Sequence, residues 1–122
     1  MKALWTPSEA NKTLPLVKRI VADILERGAE LRALVHEGRG DSARRRIDEL
    51  EDQLRELMRE LEHIGCFYKD WGFEAGLVDF PARIDGEKVC LCWRSDEESV
   101  SWYHPIEEGF AGRRPIPAEM LR

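Results

Sequence analysis

VDFPARIDGEKVCLCWR, residues 78–94, is the stretch whose reading decides the fold. Apolar residues alternate with polar ones on both sides of Asp85-Gly86, a dipeptide that accepts the positive backbone angles of a two-residue hairpin turn. A turn there pairs Ile84 with Glu87, Ala82 with Val89, Phe80 with Leu91 and Val78 with Trp93, so both strands put their apolar side chains on one face. If the acidic stretch SDEE, residues 95–98, is a four-residue loop, a third strand sets Val100 opposite Trp93, Trp102 opposite Leu91 and His104 opposite Val89. The expected product is a three-stranded antiparallel meander over residues 77–105. Pro81 brings no N–H to a ladder and suits an edge strand.

The same register sorts the polar residues. Asp79, Cys92 and Ser101 share one row of the face away from the core, Pro81, Cys90 and Tyr103 share the next, and Arg83 and Lys88 lie beyond. Small, sulfur-bearing and aromatic residues in the middle of a wet face imply that something covers it: the tail, a partner or a ligand. Asp79, Arg83, Cys92, Arg94, Tyr103 and His104 are the candidate ligand-binding residues. Cys90 and Cys92, about 6.5–7 Å apart along one strand, are too distant for an unstrained disulfide and are expected as free thiols. In this scheme His104 falls with the core residues, bonded to a helix residue such as Asn11. Thiols and imidazole are then divided by the sheet, so neither a metal nor a cofactor is expected there.

Upstream, the apolar period lengthens from two to about 3.6. TPSEA, residues 6–10, supplies a capping box in Thr6 and Glu9, with Pro7 at the first helical position, where its missing N–H costs nothing. Leu14, Val17, Val21, Ile24, Gly28, Leu31 and Val35 then form one seam, predicting a helix over residues 7–37. HEGRGDS, residues 36–42, breaks it. Ile47, Leu50, Leu54, Leu57, Leu61 and Ile64 repeat the spacing in a second helix over residues 42–64, and two matching seams joined by a short polar loop predict an antiparallel hairpin. Ile20, Leu25, Leu34 and Met58 widen the stripe beyond what a coiled-coil pair covers. The sheet or a second copy must supply the cover, and a homodimer through the helices does so most simply.

The fold class is therefore α+β: a long antiparallel helical hairpin packed on a three-stranded antiparallel β-meander, as a single domain over residues 1–122 with an irregular tail over residues 106–122.

A net charge of −5 opposes non-specific nucleic-acid binding. The local run Arg44-Arg45-Arg46 precedes Asp48 and Glu49 at helix-pairing distance, which accounts for it without a nucleic acid. No apolar run approaches the roughly 20 residues that span a bilayer, and MKALWTPSEA lacks the apolar stretch of a secretion signal, so a cytoplasmic protein without a membrane partner is expected. Three cysteines without framework spacing agree with a reducing compartment. No phosphate loop, nucleophile elbow or paired zinc motif occurs. ELEH places Glu60 and His63 at the spacing of a helix-bundle metal site, but Leu61 holds the apolar seam and Glu60 does not. Trp71 and Phe73 are expected to plug the helix end, and Arg113 and Arg114 to pair with Glu107 or Glu108.

The runs GLVDFPARIDGEKVCLCWR, WYHPIEEGFAGRRPI and TPSEANKTLPLVKRI together resemble the prokaryotic family catalogued as domain of unknown function 2203, over nearly the whole chain. The resemblance implies small cytoplasmic proteins without an assigned activity. The residues favour a non-catalytic homo-oligomeric interaction or assembly module. The alternative is a protein binding a small molecule or metal through the Asp79/Arg83/Tyr103 face or a Glu60/His63 site. Whether such a site would be an enzyme's is left open by the sequence.

Overall fold

The computed structural model describes residues 4–121. Helix α1 runs Pro7–Glu37 and helix α2 Gly40–Ile64. A five-stranded antiparallel sheet follows, with β1 at Phe67–Tyr68, β2 at Leu77–Ile84, β3 at Glu87–Arg94, β4 at Trp102–Pro105 and β5 at Arg114–Pro115, in that spatial order. The expected meander forms its centre. The additional strands β1 and β5 are two residues each, too short for any period to reveal.

The capping box forms as its residues dictate: the Thr6 hydroxyl accepts from the Glu9 N–H, and the Glu9 carboxylate accepts from the Thr6 N–H. Helix α2 begins at Gly40, two residues before the expected start, and ends on Gly65 in the left-handed conformation that glycine tolerates. Leu14, Val17, Val21 and Ile24 of α1 and Leu54 and Leu61 of α2 join Val78, Phe80, Leu91 and Trp93 in one core. Apolar burial of that kind contributes roughly 1.5–3 kcal/mol per large side chain. Gly28 keeps its place in the α1 seam because Phe73 fills the space beside it: a Cβ there would lie 2.4 Å from the Phe73 ring.

At the β2–β3 turn Asp85 and Gly86 have φ of 52° and 82°, and the whole ladder from Leu77↔Arg94 to Ile84↔Glu87 follows the register that the turn dictates. Pro81 is accommodated because β1 pairs only with Val78 and Asp79; farther along, that edge receives Trp5, whose N–H donates to the Pro81 carbonyl.

The third strand departs from expectation by one residue. Trp102 lies opposite Cys92, Tyr103 opposite Leu91 and His104 opposite Cys90. The cause lies in the connection, which spans residues 95–101 rather than the acidic four. The Asn11 side chain donates to the Val100 carbonyl and accepts from the Val100 N–H, holding this buried valine against α1 and away from the ladder. Glu97 fastens the other end: its carboxylate accepts from the Arg94 N–H and its carbonyl from the Trp93 indole. A register shift of one residue exchanges the two faces of the strand.

Candidate metal centre

That exchange builds the site. His104 turns away from the core toward Asp79 and Cys92, and Tyr103 turns inward to pack on the core. The expected positions of these two residues are thus reversed, and Asn11 serves Val100 in place of the histidine. Asp79 and Cys92 are cross-strand neighbours on β2 and β3. His104 reaches the same point from the adjacent row: its Nε2 lies 3.2 Å from each carboxylate oxygen of Asp79. One ligand atom from each of the three residues falls within 4.8 Å of the other two. All three are buried, with relative exposures of 7% for Asp79, 1% for Cys92 and 3% for His104.

Hydrogen bonding fixes the imidazole. Nδ1 lies 2.7 Å from the Pro105 carbonyl, and a carbonyl only accepts, so Nδ1 carries a hydrogen. Nε2 is then the nitrogen presented to Asp79 and Cys92. Burial, aided by the Asp79 carboxylate both as a nearby charge and as the acceptor of its hydrogen bond, pushes the Cys92 thiol up to about 12. Such a thiol is protonated at neutral pH and does not act as a free nucleophile. Cys90, half-buried in the neighbouring row, is pushed to about 11, and buried Cys66 to about 12, in both cases mainly by burial.

The tail covers this face, as its composition implied. Arg113 donates to the Cys92 carbonyl and, at 2.7 Å, to the Glu97 carboxylate. Its guanidinium lies 5.0 Å from the centre of the Trp102 ring and 4.6 Å from that of Phe110. Arg114 makes the expected pair with Glu108 at 3.2 Å. A cavity of about 290 Å³ remains above the three ligands, walled by Leu77, Ile106, Gly109 and Phe110, with Lys69 beside it.

The other candidates do not join this cluster. Arg83 is exposed one pair beyond Cys90, and Arg94 pairs with Asp96 at 3.3 Å while stacking over Phe110. Glu60 and His63 are exposed, and among the described residues they gather no third ligand. Trp71 is 66% exposed, whereas Phe73 packs on Gly28 and stacks on Tyr68. The sequence reading missed Arg113 as the tail's anchor, because its partners lie 16 and 21 residues away. It missed Lys69 because β1 is too short to announce itself, although Phe67 and Lys69 do alternate about Tyr68.

No helix among the described residues is long and apolar enough to cross a membrane. No curated protein and no solved structure matches the chain. A family model described as "Uncharacterized conserved protein (DUF2203)" matches residues 3–116, and the chain therefore belongs to that family.

Proposed function

We propose that the protein binds one divalent transition-metal ion, zinc foremost, through Asp79, Cys92 and His104. The observation that carries this reading is the convergence of three different donor atoms in one buried cluster, with the far nitrogen of the imidazole tied to a backbone carbonyl. That remote bond is how metal-binding histidines are ordinarily oriented. Two ligands bonded to one ion at about 2.0–2.1 Å in tetrahedral geometry lie about 3.3 Å apart, close to the observed 3.2 Å between Nε2 and the Asp79 oxygens. Carboxylate and thiolate together neutralise a divalent cation, which offsets the cost of burying charge. A nitrogen, oxygen and sulfur set suits zinc better than a hard cation such as magnesium or calcium. Three protein ligands leave a fourth position, which faces the cavity; this is the arrangement of sites that bind or activate a further molecule.

The test is metal analysis of the tag-free protein, followed by competition with a chromophoric chelator. One equivalent of zinc per chain, lost in Cys92→Ala and His104→Ala variants that remain folded, supports the reading. Absence of saturable binding, or equal binding by both variants, ends it.

A second reading concerns assembly. Toward the far end of the helical hairpin, Val35 and Trp71, each 66% exposed, flank an apolar groove with Leu31 and Phe73. These features support a homodimer through the helices, and light scattering that returns a monomer at every concentration would remove it. Three free thiols support a cytoplasmic setting.

A further inference from the structure

Resting on the metal reading, we infer that the site takes a small organic carboxylate with an apolar body: the carboxylate binds the ion's fourth position beneath Lys69, and the body lies against Leu77, Ile106 and Phe110. The cavity's charge decides the sign of the ligand. A divalent ion held by the Asp79 carboxylate and the Cys92 thiolate is neutral overall. Of the cations around it, Arg113 is held by Glu97 and Arg94 by Asp96. Lys69 makes no ion pair among the described residues, yet it lines the same cavity. One uncompensated positive charge beside an open coordination position selects an anion.

The walls decide the rest. Ile106 is 58% and Phe110 39% exposed, large apolar surfaces left to water at the mouth of a cavity whose floor is polar. A ligand that covers them removes that surface from water, which inorganic phosphate or acetate alone cannot do. A volume of about 290 Å³ admits a molecule the size of an aryl acid and excludes a nucleotide or a peptide of several residues.

The experiment uses the full chain loaded with cobalt as a spectroscopic substitute for zinc, titrated with phenylacetate, phenylacetamide and acetate. Phenylacetate is expected to shift the cobalt visible bands saturably, with phenylacetamide and acetate each weaker by about tenfold or more. Lys69→Met should weaken phenylacetate by about tenfold without changing cobalt affinity, and Lys69→Arg should retain it. If cobalt loads but phenylacetate leaves the bands unchanged, or if Lys69→Met binds it as tightly, this inference is wrong while the metal reading stands. If cobalt does not load at all, both fall together.

Discussion

His104 and Asp79, separated by 25 residues in sequence, meet with Nε2 at 3.2 Å from both carboxylate oxygens, and both side chains are buried. A buried pair of this kind is costly to break from one side, because the remaining group stays desolvated without its partner. Asp79→Ala should therefore destabilise the metal-free protein by about 3 kcal/mol, and the Asp79→Ala/His104→Ala double variant should lose less than the sum of the two single losses. Urea denaturation of the four proteins measures the cycle. Additive losses would show that the two side chains do not interact.

Metal affinity should fall as the solution is acidified. The Cys92 thiol titrates at about 12, so at neutral pH the ion must displace its proton. For the thiol proton alone, apparent affinity rises about tenfold per pH unit from mildly acidic to mildly alkaline solution, and acid favours the metal-free form. Chelator competition at several pH values gives the slope, and an affinity independent of pH would place the thiol outside the coordination sphere.

Gly28→Ala should destabilise the fold even though alanine is the better helix former. The gain in propensity is about 1 kcal/mol, whereas the new Cβ would stand 2.4 Å from the Phe73 ring, an overlap that costs about 1–3 kcal/mol or more. Phe73→Ala in the same chain should recover part of the loss in denaturation experiments. A stabilised Gly28→Ala protein would mean that the ring moves aside without cost.

Arg113→Ala should loosen the tail and expose Cys92. The guanidinium links the Cys92 carbonyl, Glu97 and two aromatic rings, so its loss releases the cover from strand β3. Reaction of Cys92 with an aromatic disulfide reagent, followed in a Cys66→Ala/Cys90→Ala background, should be faster by about tenfold or more. An unchanged rate would show that the tail is held by other contacts.

Asn11→Ala bears on the origin of the site. It leaves the buried Val100 N–H and C=O without their partner, at a cost of about 1–3 kcal/mol for each group. Hydrogen exchange should then rise across residues 99–105 before any other part of the sheet. Uniform protection would show that the β3–β4 register does not depend on this clamp.

The hairpin half of the architecture was legible because local chemistry dictated it. Asp85-Gly86 fixed eight cross-strand pairs, Thr6 and Glu9 fixed the start of α1, and two seams fixed the helix pairing. The site was hidden for one reason: His104 faces Asp79 only because Asn11, 89 residues from Val100, draws that residue out of the ladder and the register of the next strand shifts by one. A hydrogen bond between residues so distant leaves no periodic trace, and the acidic SDEE resembled a complete loop. Asp79 and Cys92 could be placed on one face from the β2–β3 register alone, but the third member depended on a register that no local signal set. Lys69 and Arg113 were hidden likewise, one just past a two-residue strand and the other in a tail without a period.

X-ray absorption at the zinc edge is the most direct measurement. The zinc-loaded protein should show one sulfur scatterer at about 2.3 Å with nitrogen and oxygen scatterers at about 2.0–2.1 Å, and the sulfur shell should vanish in Cys92→Ser. A first shell of oxygen and nitrogen alone in the unmodified protein, or a sulfur shell that survives Cys92→Ser, would contradict a centre built from Asp79, Cys92 and His104.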